Sequence, residues 1–183
     1  MICNLCPRKC NAQRSESSGG GFCRMGTNPV IARVAPHFGE EPCISGANGS
    51  GTIFFSGCTL GCVYCQNYEI SSLHRGREIT PQELADCYKR LEEQNVHNIN
   101  LVTADHFAPA VVKSFEIYKP KIPIVYNCSG YTSPKILNML DGIVDIYLPD
   151  FKYSNNELAL KYSLAPNYVE TATVAIKEMP VSY

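Results

Sequence analysis

From residue 52 onward, short apolar runs alternate with segments of helical periodicity, and this alternation leaves few folds open to the chain. Four of the runs are predicted to be β-strands, at residues 52–55, 99–103, 122–126 and 143–148. Strands separated by helices usually pair in parallel, because each helix carries the chain back to the edge at which the previous strand began. The sequence therefore predicts an α/β protein with a parallel sheet, wound either as a barrel or as an open layer.

Capping signals place helices between these strands. Thr80, Pro81 and Glu83 form a capping box with proline at the first helical position, which predicts that a helix begins after Thr80. Further helices are predicted from Pro109 and over residues 135–140, 156–162 and 168–179. Polar residues that follow the strands should then converge on one rim of the sheet, where α/β proteins place their ligands.

The first fifty residues differ from the rest of the chain. They are rich in glycine and proline, and only residues 30–34 alternate like a short strand. We therefore predict a loop-rich, cysteine-containing N-terminal extension over residues 1–50 and a core over residues 51–183. The 183 residues suffice for one domain and leave little for a second.

Composition excludes several classes of function. The formal net charge is -1 and 18% of the residues are charged, which is unlike a disordered segment or a basic nucleic-acid-binding protein. No nucleic-acid partner is therefore expected. The sequence has no apolar run long enough to span a membrane and no signal-peptide core near its start, so we expect a cytoplasmic location without membrane contact.

Ten cysteines are an unusual number for a chain of this length. In a reducing cytoplasm, clustered cysteines are more often metal ligands or catalytic groups than disulfides. Seven of them form two groups, which are Cys58, Cys62 and Cys65 in a C-x3-C-x2-C segment, and Cys3, Cys6, Cys10 and Cys23 near the start of the chain.

The three-cysteine group favours an iron–sulfur cluster. Cubane clusters usually take four cysteines, so a set of three leaves one iron open to another ligand. Zinc would need a fourth protein ligand close by, and His74 is the nearest candidate. The alternative is a non-catalytic, zinc-binding structural or interaction protein.

The four-cysteine group offers enough ligands to close a complete site. Zinc and a second iron–sulfur cluster both fit four thiolates, and the spacing does not separate them. Such a site would fix the Gly-rich extension, which has little regular structure of its own. The remaining cysteines are Cys43, Cys87 and Cys128, of which Cys87 is predicted to lie in the core.

The C-x3-C-x2-C segment, with aromatic Tyr64 before its last cysteine, resembles the signature of the radical S-adenosylmethionine (SAM) enzymes. Segments 37–46, 54–71, 125–131 and 145–153 resemble the subgroup homologous to pyruvate formate-lyase activating enzyme. The resemblance runs from Cys3 to about Met179. It implies a partial parallel (β/α) barrel with more βα units than the four strands counted here, so we expect a C-terminally truncated member.

The resemblance also implies a cofactor set. Cys58, Cys62 and Cys65 would hold three irons of a [4Fe-4S] cluster, and the amino and carboxylate groups of SAM would chelate the fourth. Reductive cleavage of SAM would then give a 5′-deoxyadenosyl radical that abstracts hydrogen from a substrate, so the cofactors and no further catalytic side chain carry the chemistry. Implied partners are an electron donor such as flavodoxin or ferredoxin, and a protein substrate if the chain acts as an activase of a glycyl-radical enzyme.

Individual side chains are implied to bind the cofactor. Tyr64 would lie against the adenine, and Asn127 and Ser129 follow the third strand, where family members contact the cofactor. Asp105 would accept a hydrogen bond from the SAM ammonium, although Thr103-Ala104-Asp105 stands where the family has Gly-Gly-Glu.

Three more polar residues fall at the predicted rim. Asp150 and Lys152 are expected either to bind the substrate or the methionine carboxylate, or to form an exposed ion pair. His106 is expected either to donate a proton or to pack against the mouth of the site.

Overall fold

The computed structural model describes residues 2–179, and the last four residues of the predicted core lie outside them. The strands are β1 (Ile2–Cys3), β2 (Ala12–Gln13), β3 (Val30–His37), β4 (Ser50–Phe55), β5 (Arg77–Glu78), β6 (Ile99–Val102), β7 (Ile124–Cys128) and β8 (Ile146–Pro149). The helices are α1 (Pro42–Ser45), α2 (Tyr68–Ser71), α3 (Pro81–Glu93), α4 (Ala108–Ile117), α5 (Pro134–Leu140), α6 (Asn156–Ser163) and α7 (Tyr168–Glu178). A 3-10 turn at Asp105–Phe107 leads into α4.

Six of the strands form one sheet in the order β5-β3-β4-β6-β7-β8. Strands β4, β6, β7 and β8 pair in parallel and occupy the four predicted positions. Strands β3 and β5 extend the sheet on the β4 side and are antiparallel. The α/β prediction is therefore confirmed, and the sheet is mixed and mostly parallel, as a partial radical SAM barrel would be.

Strand β3 is longer than predicted and lies within the predicted N-terminal extension. It continues to His37 and pairs with β4 as far as Ser50. Proline has no amide hydrogen to donate to a neighbouring strand. Pro36 is tolerated because β5 pairs only with residues 30 and 31, so on the side of β3 that faces away from β4 no strand needs a donor from Pro36. The sheet thus crosses residue 50, and the division of the chain at that residue stays a prediction.

Helix α3 begins as its sequence predicts. The Thr80 hydroxyl accepts from the Glu83 amide at 3.2 Å, and the Glu83 carboxylate accepts from the Thr80 amide at 2.8 Å. The predicted apolar face is buried, and its members are Leu84, Cys87, Tyr88 and Leu91. The helix therefore presents its apolar face to the core beneath the sheet.

Two apolar clusters hold the described part of the chain together. The larger one joins the sheet to α3, α4 and α5. The smaller one packs the loop after β4 against α6 and α7, and its buried members include Leu60, Cys62, Tyr131, Tyr153 and Tyr168. This second cluster fixes the position of the cysteine loop. Among the described helices, none combines the length and apolarity needed to cross a membrane.

Candidate functional site

The carboxyl ends of the parallel strands surround a cavity of about 370 Å³. Cys58, Cys62 and Cys65 all line it, because the loop that follows β4 turns back across the end of the sheet. The ends of the other parallel strands contribute Thr103, Cys128, Ser129, Asp150 and Lys152. Residues widely separated in the sequence thus meet at one rim.

Two glycines shape the cysteine loop. Gly57 and Gly61 have φ values of +78° and +65°, a region that side chains rarely adopt. A Cβ at Gly57 would lie 2.6 Å from Met25 Cγ, and one at Gly61 would lie 2.9 Å from Phe22 Cε1. The loop therefore packs closely against residues 22–25 of the N-terminal extension.

Hydrogen-bond donors surround the sulfur atoms of this loop. Cys58 Sγ accepts from the amides of Leu60 and Gly61 at 3.3 and 3.5 Å, and Cys65 Sγ accepts from Ser71 Oγ at 3.3 Å. Burial nevertheless raises the pKa of Cys58 to about 11, so this thiol keeps its proton unless a metal cation replaces it. Three thiols at one cavity of this size, two of them with donors at their sulfurs, fit an iron–sulfur cluster and a small bound cofactor.

Tyr64 lies at the mouth of the same cavity. The residue is 55% exposed, and its ring makes edge contacts with Tyr153 and Tyr162, whose ring centroids are 6.1 and 6.4 Å away. These contacts hold the ring in place and leave more than half of the side chain accessible. Its predicted contact with adenine stays a prediction.

Ser129 and Asn127 lie on different parts of the rim. Ser129 lines the 370 Å³ cavity, whereas Asn127 lines an adjoining cavity of about 470 Å³ and donates to Glu40 Oε2 at 3.4 Å. Burial raises the pKa of Glu40. The two cavities share Phe54, Gln66, Asn67, Val102 and Asp150 in their linings. A ligand in one cavity would therefore adjoin a ligand in the other.

Asp105 lines neither of these two cavities. Its side chain is 1% exposed and accepts a hydrogen bond from Thr132 Oγ1 at 2.5 Å, and burial raises its pKa. Thr103 lines the cavity instead, with a φ of +61°. A β-branched residue rarely adopts this conformation, which costs on the order of 1–3 kcal/mol. Thr103 stands at the first glycine of the family's Gly-Gly-Glu motif and at a predicted strand end, but no binding role was predicted for it from the sequence.

Asp150 and Lys152 both line the cysteine cavity and pair with each other. Lys152 Nζ lies 2.6 Å from Asp150 Oδ2. Burial alone would lower the pKa of Lys152, but the Asp150 carboxylate outweighs it and raises that pKa. The ion pair thus sits at the cavity, where both of its charges can reach a ligand.

His106 is buried away from the cysteine cavity. Its Nε2 lies 2.8 Å from the Ser56 carbonyl oxygen and donates to it, and burial lowers the pKa of the ring to about 4. The ring is therefore neutral near pH 7 and does not serve as a proton donor at the cavity.

The four N-terminal cysteines also meet at one place. Cys3, Cys6, Cys10 and Cys23 line a small cavity of about 10 Å³. All ten cysteines are free thiols. Over residues 2–179, no three Cys, His, Asp or Glu side chains are already set at the distances of one bound metal ion.

The family model of the radical SAM superfamily matches residues 52–178, so the chain belongs to that superfamily. Membership implies a [4Fe-4S] cluster and SAM as ligands. The uncharacterized protein MJ0674 of Methanocaldococcus jannaschii is 32% identical over an alignment of 178 positions, and the alignment covers 92% of this chain and 50% of that protein. The chain thus spans about half the length of this curated relative.

Proposed function

We propose that the chain holds a [4Fe-4S] cluster on Cys58, Cys62 and Cys65 and binds SAM beside it for reductive cleavage. The observation that carries the proposal is that these three thiols line a single cavity at the carboxyl ends of parallel strands. When bound, the cluster and SAM together supply a 5′-deoxyadenosyl radical that abstracts hydrogen from a substrate.

The side chains at the rim are proposed to hold SAM. Tyr64 offers an exposed aromatic face to the adenine, and Ser129 offers a hydroxyl group within the same cavity. The Lys152 ammonium would attract the methionine carboxylate, and the Asp150 carboxylate would attract the amino group. Asn127 would act from the adjoining cavity.

Apolar residues between the cavities support radical chemistry. Phe54 and Val102 line both cavities, and Phe55 and Leu60 line the one that holds the cysteines. These side chains lie among polar ones such as Gln66, Asn67 and Asp150, and they would keep water from the part of the cavity that they line, which protects a reactive intermediate there. The adjoining cavity of about 470 Å³ is proposed to receive the part of the substrate that loses hydrogen.

We further propose an activase-like role with a protein substrate, and a flavodoxin or ferredoxin as electron donor. Exposed apolar side chains lie close to the cysteines in the chain and at the end of β8, and they include Val63, Tyr64, Tyr68 and Phe151. Exposed apolar groups of this kind often mark the binding site of a partner protein. This role rests on the resemblance and on these exposed residues.

Anaerobic reconstitution with iron and sulfide tests the proposal. The wild-type chain is expected to give a brown protein with a cluster EPR signal that shifts on addition of SAM, and to release 5′-deoxyadenosine when reduced. Cys62→Ala is expected to reduce that release to background because it removes one cluster ligand. Cys43→Ala is the matched control, since Cys43 is exposed and lines neither cavity.

A colourless protein that takes up zinc at Cys58, Cys62 and Cys65, and that releases no 5′-deoxyadenosine, would contradict the proposal. It would favour the zinc-binding structural protein instead.

A further inference from the structure

The four N-terminal cysteines share their cavity with two buried polar atoms that lack partners. The cavity is lined by all four thiols and also by His106 and Thr59. His106 Nδ1 and Thr59 Oγ1 are both buried, and neither has a hydrogen-bond partner among the described residues. Native proteins rarely leave buried polar atoms unpaired, so the contacts around this cavity are incomplete among the described residues.

The hydrogen bond made by His106 fixes the tautomer of its ring. Because Nε2 donates to the Ser56 carbonyl, Nδ1 carries an unshared electron pair and no proton. A second ring nitrogen in that state is a Lewis base, as a metal ligand must be. The lining of the cavity therefore contains four thiols and one imidazole.

The size of the cavity discriminates between cofactors. About 10 Å³ is close to the space that one water-sized sphere occupies, whereas the cavity at Cys58, Cys62 and Cys65 has about 370 Å³. A single ion fits the smaller space once the thiols rotate inward. A cubane cluster of four irons and four sulfides would need the segments that carry the four thiols to move apart.

Charge around the cavity suits bound thiolates. Arg14 Nη1 donates to Cys3 Sγ at 3.6 Å, and the Arg8 guanidinium lines the same cavity. Four thiolates around one divalent cation carry a net charge of about -2, which two neighbouring guanidinium groups offset.

We propose that Cys3, Cys6, Cys10 and Cys23 bind one zinc ion in a closed tetrahedral site. Thiolate ligands select zinc over hard cations such as Mg²⁺ and Ca²⁺, and four protein ligands leave no open position, as in structural zinc sites. The site holds the N-terminal extension against the loop of the proposed [4Fe-4S] cluster, because the cavity reaches Thr59 of that loop.

The experiment measures metal content in the chain with Cys58, Cys62 and Cys65 replaced by alanine. The protein is stripped of metal under reducing, anaerobic conditions and titrated with Zn²⁺ and, separately, with Co²⁺. One zinc per chain is expected, and Co²⁺ is expected to give the absorption bands of a tetrahedral thiolate complex. The wild-type chain, reconstituted with iron and sulfide, should carry one zinc in addition to its iron.

Ligand variants in the same background identify the site. Cys10→Ser is expected to weaken zinc binding by at least about 100-fold, since loss of even an outer partner of a metal ligand costs about 10–100-fold. Cys10 is exposed, so this change removes little packing and should leave the chain folded. Cys43→Ser is the control with another exposed cysteine, and it should bind zinc as the parent does.

Two results would overturn the zinc assignment. One is the absence of stoichiometric zinc and cobalt binding by the parent chain. The other is an iron–sulfur chromophore that forms in the parent after incubation with iron and sulfide and is lost in Cys10→Ser. Because the readout is metal content and not SAM cleavage, its failure is distinct from failure of the proposed function.

Discussion

Asp105 shows how burial changes the chemistry of a single residue near the site. A carboxyl group that is almost completely buried is easier to keep neutral than to ionise, which is why its pKa is raised. The folded protein therefore holds this proton to a higher pH than the unfolded chain does. As the pH rises from the unfolded pKa of about 3.9 through the folded value, ionisation works against the folded state.

Asp105→Asn removes this penalty and keeps the oxygen that accepts from Thr132. We expect the variant to gain on the order of 1 kcal/mol in unfolding free energy at neutral pH, and to lose the decline that the wild type shows as the pH rises. Chemical denaturation followed across the acid-to-neutral range measures both effects.

The same variant tests whether Asp105 has the predicted role in SAM binding. Because Asp105 lines neither cavity, Asp105→Asn should bind SAM as tightly as the wild type after cluster reconstitution. A large loss of SAM affinity without loss of stability would support the predicted contact between Asp105 and the SAM ammonium.

At the scale of elements, the capping box of α3 links a local sequence signal to stability. Thr80→Ala removes the hydroxyl that accepts from the Glu83 amide. We expect it to lower the unfolding free energy by about 1 kcal/mol, whereas Thr80→Ser should retain most of the stability because serine caps helices equally well. Equal losses in both variants, measured by denaturant unfolding, would show that the methyl group and not the cap is responsible.

Elements with strong local signals were predictable, and those that depend on distant contacts were not. The cap of α3 and the four parallel strands follow from the capping box and from apolar runs. Strand β5 has two exposed residues and exists only because it pairs with β3. No periodicity in two residues can predict such a strand, since the partner supplies its hydrogen bonds.

At the scale of the whole molecule, some features of the candidate site could be predicted from the sequence and others could not. The spacing of the cysteines was visible in the sequence, and the fold brings each of the two groups to one cavity. The strained backbone of Thr103 and the position of Asp105 were not visible. Both depend on how β6 ends against neighbouring strands, which local sequence does not report.

Arg8 connects three parts of the chain that are distant in sequence. Its guanidinium donates to the carbonyl oxygens of Thr59 and Leu60 in the cysteine loop, and to those of Ser163 and Leu164 at the end of α6. It also lies 3.6 Å from the centroid of the Phe22 ring. A planar group with five donors suits this arrangement, and an ammonium group cannot reproduce it.

We therefore expect Arg8→Lys to lower the unfolding free energy by about 2 kcal/mol and Arg8→Ala by about 3 kcal/mol, because hydrogen bonds from a charged group to carbonyl oxygens, three of them partly buried, are lost. Arg75→Lys is the matched control. The Arg75 side chain forms a solvent-exposed ion pair with Glu69, and lysine keeps both the charge and the backbone contacts of this position, so the replacement should change stability by less than about 0.5 kcal/mol. Denaturant unfolding of the three variants measures these differences, and an Arg8→Lys value equal to that of Arg75→Lys would show that Arg8 does not hold the three parts together.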